Sequence, residues 1–207
     1  MASKTNLSRA DQRAISRAIA MAEARTSGEI IAVMARASDD YIFIPLLWAA
    51  LAALLVPLGL LFATDWPAQH VYIAQLATFA VLAAIGLWWP VRVRLVPNSI
   101  KRARVHRSAL QQFLAQDIHT TKSRTGILIY VSLAERIAEV VADEGIYAKV
   151  PAERWDEIIE ALVARLKSGK ARAGFVTAIG GSGDLLAEHF PPGSSNENEL
   201  PDHLIML

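Results

Sequence analysis

Two long apolar runs dominate the chain. Residues 42–63 are 22 positions without a charge, and residues 71–89 are 19 whose notable polar groups are Gln75 and Thr78. As a helix, either is long enough to cross a bilayer. The first run holds thirteen Leu, Ile, Val or Phe residues, which favour insertion by about 4 to 8 kcal/mol before Pro45 and Pro57 are discounted. The second holds eight, for about half of that gain. Soluble helices of this length carry a polar stripe, and neither run does. Tyr41, Phe43 and Trp48 near the first entry, Trp66 and Tyr72 near the gap, and Trp88 and Trp89 at the exit stand where amphipathic rings settle at headgroup level.

The flanking segments read as alternating helix and strand. Ser8 with Asp11 opens an amphipathic helix whose positions Ile15, Ala18, Ile19 and Ala22 fall three and four apart. Thr26-Ser27-Gly28 breaks it, and Glu29–Ala35 is an almost continuous apolar run that predicts a buried strand. One helix and one strand cannot form a core. Two spans return the chain to the side it left, so residues 1–41 must pack with the segment beyond residue 89. The hairpin at 42–89, with spans 42–63 and 71–89, is therefore an insertion within one domain that resumes over 90–190.

After Pro90 the segment 91–97 reads as extended. Pro97-Asn98 then opens a helix to about Asp117, with Val105, Leu110, Phe113 and Leu114 in an imperfect stripe. Gly126–Ser132 is the clearest strand. Residues 137–143 are ambiguous: Ser132 with Glu135 and then Gly145 suit a capped helix, while the spacing from the preceding strand suits a hairpin through 133–136. Pro151 marks the start of a helix with Trp155, Ile158, Ile159, Leu162 and Leu166 on one face and Gly169 as its stop. A last helix over 171–190 carries Phe175, Ile179, Leu186 and Phe190 at helical spacing. The tail, 191–207, is rich in Pro, Ser and Asn and is expected to be weakly ordered, at least to about Glu199.

Composition sharpens this picture. Hydrophobic residues make up 53% of the 207, and the hairpin accounts for the excess over an ordinary globular chain. With 21 basic and 20 acidic residues the net charge is +1, which gives no reason to expect a nucleic-acid partner. There is no cysteine, which excludes disulfides, thiolate catalysis and Cys-based zinc sites. The polar N-terminus does not read as a signal peptide. The gap at 64–70 contains Asp65 but no Lys or Arg, whereas Arg25 and Arg36 precede the hairpin and Arg92, Arg94, Lys101, Arg102, Arg104 and Arg107 come after it. By the positive-inside rule this predicts a multi-pass protein of the cell inner membrane with both termini cytoplasmic. Lys101, Arg102, Arg104 and Arg107 form a basic cluster suited to anionic lipid headgroups.

Taken together, the segments outside the hairpin resemble the TPM domain family, found in thylakoid-lumen proteins of photosystem maintenance and in bacterial membrane proteins. The matching residues are Thr26-Ser27-Gly28-Glu29-Ile30-Ile31, entering a first strand; Gly126-Ile127-Leu128-Ile129-Tyr130-Val131; and Glu139-Val140-Val141-Ala142-Asp143-Glu144-Gly145 in place of the next strand and its Gly turn. The resemblance implies an α/β/α sandwich around a small mixed sheet, here interrupted by an inserted transmembrane hairpin, and it makes 137–143 a strand. It also implies divalent-metal binding or acid phosphatase activity through acidic residues near the strand ends, which here would be Glu29 and Asp143. Many members lead into the central strand with an acidic GxDNG-like turn; Lys122-Ser123-Arg124-Thr125-Gly126 stands here instead, which argues against a calcium site or a phosphatase.

The residues themselves offer modest chemistry. Asp39 and Asp40, with Glu29, Asp143 and Glu144, could supply oxygen ligands to a hard cation, but as readily form a solvated linker and an ordinary turn. Gly180-Gly181-Ser182-Gly183-Asp184 lacks the Lys-Ser/Thr of a phosphate-binding loop and fits a helical face equally well. His70, His106, His119, His189 and His203 show no metal-ligand spacing. Gln75 and Thr78 do not ionise, which speaks against a transport path and for hydrogen bonding across the hairpin or within a homo-oligomer. The expectation is a non-enzymatic membrane protein whose cytoplasmic domain binds or supports the assembly of another membrane protein, with no cofactor; the alternative is a weak metal-dependent acid phosphatase using Glu29 and Asp143.

Overall fold

The computed structural model describes residues 7–121, 123–192 and 198–207. Lys122, in the basic lead to the central strand, and tail residues 193–197 lie outside them. The chain divides into two compact units, Asp39–Lys101 and a second made of Met1–Ser38 together with Arg102–Leu207.

The larger unit is built on a four-stranded mixed sheet of order β3-β2-β1-β4. β1 (Glu29–Ala35) and β2 (Gly126–Ser132) run parallel from the pair Glu29 and Gly126 to the pair Ala35 and Ser132. β3 (Ile137–Ala142) returns antiparallel to β2, so the segment that local pattern left open is a strand, as the family resemblance implied. All seven residues of β1 and of β2 are buried, which is why both read as continuous apolar runs: both sheet faces are covered. On one face Ile30, Ala32, Ile127, Ile129 and Val140 share a core with residues of α1 (Arg9–Glu23), α7 (Ala152–Lys167) and α8 (Ala171–His189). On the other, Ile31, Val33, Leu128 and Tyr130 meet Val105, Ala109 and Phe113 of α5 (Asn98–Ala115) and Ile118 of a short 3-10 turn. This is an α/β/α sandwich. α6 (Glu144–Tyr147) is a single turn after β3.

α1 begins with the expected capping box: the Ser8 hydroxyl accepts the Asp11 N–H at 3.1 Å and the Asp11 carboxylate accepts the Ser8 N–H at 3.1 Å. α8 runs unbroken through Gly180 to Asp184. Gly183 is needed because a Cβ there would lie 2.6 Å from that of Ala22. The Gly-rich stretch is thus a close helix contact between α8 and α1, not a phosphate turn.

Three expectations need correction. The end of the tail is a strand, β4 (Leu204–Met206), parallel to β1 with Ala32 opposite Leu204; a three-residue strand in a Pro- and Asp-containing tail shows no period of its own and exists only through its partner. Residues after Pro90 are not extended but helical, α4 (Trp89–Leu95), because Pro at a first helical turn is preset for helix and its missing donor costs nothing there. In α5, Leu110 and Leu114 do not belong to the core stripe: they are 40% and 57% exposed, and Ala109 takes the inner position.

The smaller unit holds two helices long and apolar enough to cross a membrane, α2 (Phe43–Ala63) and α3 (Ala68–Leu87). α3 starts directly after Pro67, earlier than the apolar run suggests, and stops before Trp88. Their buried positions are mostly small or compact, Ala49 and Ala53 on α2 and Ala83 and Gly86 on α3, and a Cβ on Gly86 would meet Pro45 at 2.8 Å. Small residues bring the backbones together and leave Leu and Phe outside. The Thr78 hydroxyl donates to the Ala74 carbonyl of its own helix at 2.8 Å, so it does not bridge the hairpin. In α4 the Arg92 guanidinium lies 4.6 Å above the Trp89 ring.

Candidate functional site

Where α1 ends and β1 begins, a cavity of about 180 Å³ is lined by Ala20, Glu23, Ala24, Glu29, Asn198 and Asp202. Glu23 reaches it because it falls one turn beyond Ile19 on the buried stripe of α1. Its Oε1 accepts the backbone N–H of Ile30 at 2.8 Å. Glu29 is the first residue of β1 and is 6% exposed; one of its oxygens accepts the Glu199 N–H at 3.4 Å, while Oε2 is buried with no hydrogen-bond partner.

Burial pushes the Glu23 carboxyl up to about 9, against the opposing pull of the Ile30 N–H and with help from the negative charges of Glu29 and Asp202. Burial also raises Glu29, opposed by the backbone N–H groups of Glu199 and Leu200. Near neutral pH Glu23 therefore keeps its proton beside further carboxyls. Such a group can hold and exchange a proton, and its titration is coupled to that of the neighbouring carboxyls.

Asp143 lies at the same end of the sheet. Glu29 is the register partner of Gly126, and the Asp143 N–H donates to the Gly126 carbonyl at 2.9 Å. Asp143 does not line the Glu29 cavity: it caps α6, with Oδ1 accepting the Glu144 N–H at 2.7 Å, and its other oxygen is buried without a partner. Among the described residues no group of three or more His, Asp or Glu side chains is placed to hold a metal ion. Asp39 accepts the Tyr41 N–H at 3.2 Å, as a turn residue does, and Asp40 is exposed. Arg102, Arg104 and Arg107 are exposed on α5 and Lys101 is half-buried. His106 is paired with Glu139 of β3.

Sequence reasoning missed Glu23 and Asp202. For Glu23 a signal exists, because a carboxylate at an inward position of an amphipathic helix needs a partner. For Asp202, in the tail, none does.

Residues 89–185 match the family model described as TPM domain. The chain carries a TPM domain. The match begins after the hairpin and ends within α8, so α1 and β1 of the sandwich lie before it. Among solved structures, the NMR structure of BA42 protein from the psychrophilic bacteria Bizionia argentinensis sp. nov. is similar to this chain with a TM-score of 0.63 and 21% identity, over 98% of this chain and 96% of that one. That likeness is one of fold. No curated protein matches the chain significantly.

Proposed function

We propose that the chain is an inner-membrane protein with two spans and both ends cytoplasmic, whose TPM domain serves as a binding or assembly-support module for other membrane proteins. The carrying observation is the surface of the hairpin: Leu54, Leu55, Leu58, Leu61 and Phe62 are 57% to 87% exposed on one helix. In water such a surface would be an aggregation site, whereas in lipid it is the ordinary exterior of a span. The basic residues on both sides of the hairpin and the acidic gap between its helices support the orientation. The insertion point supports the role. A hairpin placed between β1 and α5 attaches the TPM domain to the bilayer through two chain crossings, which keeps it beside other proteins of the same membrane.

Reporter fusions before Met1 and after residue 207 should be active only as cytoplasmic reporters; periplasmic activity at either end overturns the orientation. Cross-linking in native membranes, then capture of the intact chain in detergent, should recover a second membrane protein in fixed proportion. Recovery of the chain alone overturns the assembly role.

A further inference from the structure

α5 carries two stripes. Val105, Ala109 and Phe113 face the sheet. On the opposite side Ala103, Arg107, Leu110 and Leu114, at spacings of four, three and four, are all exposed. The 18 residues of the helix include Lys101, Arg102, Arg104 and Arg107 and no acidic residue. A helix with apolar side chains on its outer face among basic ones, and no acidic residue of its own, has the pattern of one that lies in the headgroup region. α4 precedes it with Trp89, Arg92 and Arg94, residue types that settle at the same level.

We propose that the outer stripe of α5 lies flat on the anionic cytoplasmic face of the bilayer, with Leu110 and Leu114 entering the headgroup layer and Arg107 meeting lipid phosphate. The inference rests on the membrane reading of the hairpin and adds a second, peripheral contact to it. Charge complementarity selects lipid as the occupant: a second copy would bring Arg107 against the same acid-free basic helix, while an anionic surface neutralises it. Orientation makes the idea testable. Leu114 is sixteen residues beyond Asn98, a rise of about 24 Å along the helix; if α5 pointed away from the bilayer Leu114 would stand deep in the aqueous phase, and only an in-plane helix keeps it at the headgroups.

The chain has no cysteine, so single cysteines can be placed without removing any. The intact protein is reconstituted into nanodiscs of phosphatidylcholine with or without phosphatidylglycerol, bearing an environment-sensitive fluorophore at Leu114→Cys, at Glu157→Cys on α7 as an aqueous reference, or at Leu82→Cys within α3. Spin-labelled lipids serve as quenchers. Shallow spin labels should quench Leu114 at least about threefold more than Glu157 in phosphatidylglycerol discs, and the excess should vanish in pure phosphatidylcholine or with Arg107→Glu. Quenching at Leu114 equal to that at Glu157, with Leu82 still quenched by deep labels, overturns the α5 contact and leaves the hairpin in the membrane. Loss of quenching at Leu82 as well overturns both. Efficient disulfide formation between Leu114→Cys chains, with no lipid quenching there, assigns the stripe to a second copy and also overturns the proposal.

Discussion

Glu23 at the end of α1 accepts the backbone N–H of Ile30 at 2.8 Å, fixing the helix terminus to the second residue of β1. The bond is made by a carboxyl that burial raises from 4.5 to about 9. The folded state therefore holds the proton more tightly than the unfolded chain. Stability from this group is complete below about 4.5 and is lost as pH rises toward 9, with about 3 kcal/mol gone at pH 7 as an order of magnitude. Glu23→Gln keeps an oxygen for Ile30 and removes the titration. The variant should be more stable than the native chain at pH 8, and the difference should shrink toward pH 5. Thermal unfolding of both proteins in detergent across this range is the measurement; parallel pH profiles would falsify the assignment.

Two neighbouring glycines of α8 should respond oppositely to alanine. Gly180 has open space where a Cβ would go, so Gly180→Ala should stabilise the helix by up to about 1 kcal/mol. At Gly183 the added Cβ meets Ala22 at 2.6 Å and its Cα at 3.2 Å. Gly183→Ala should cost about 1 to 3 kcal/mol despite the gain in helix propensity, because α1 must move. Equal effects at both positions in denaturation curves would mean that α1 and α8 are not in close contact.

How legible the fold is depends on where each segment finds its partners. β1 and β2 are readable because both faces are covered and every side chain is buried. β3 is an edge strand with partly exposed positions, and the Ser132–Glu135 pair that suggests a helix cap is here a turn contact, the Ser132 hydroxyl donating to the Glu135 carboxylate before Arg136 turns the chain at φ 57. Identical residues serve either role, so local pattern cannot choose. β4 depends on pairing with β1, a segment about 170 residues earlier, and on the cores that Leu204 and Ile205 join there. The outer stripe of α5 escapes for a different reason. Leu110 and Leu114 are as apolar as core residues, and only the position of the sheet separates inner from outer.

Within the hairpin, Leu82 is 36% exposed on α3, whose apolar gain is the smaller of the two. Leu82→Arg should cost about 3 kcal/mol at the centre of a span, close to the whole favourable insertion of that helix. Membrane yield should fall and the segment should become accessible to water-soluble reagents. Unchanged yield and topology would mean that α3 is held by something other than its own hydrophobicity.

The interrupted domain should depend on both of its chain segments. β1 lies between β2 and β4, so a fragment of residues 90–207 lacks the strand that joins the two and the helix α1 that packs on α8 and shares a core with Ile127, Ile129 and Leu186. It exposes an unpaired edge of β2 and an apolar face, and it should aggregate. The two chain segments meet again at one side chain: the Tyr130 hydroxyl lies 3.2 Å from that of Ser38, at the end of the first segment, and 2.8 Å from that of Ser108 on α5. Arg102, where the second segment of this unit begins, is six residues before Ser108, a rise of about 9 Å along a helix. A flexible linker of about ten Gly/Ser residues spans that interval easily. Joining 1–38 to 102–207 in this way should yield a soluble domain with a single cooperative thermal transition. Replacing Tyr130 by Phe should then lower its stability by about 1 kcal/mol, since both hydroxyl contacts are lost from a fully buried ring. A sharp transition for 90–207 alone, unaltered by adding the N-terminal segment, would show that α1 and β1 are an appendage and not part of the sandwich.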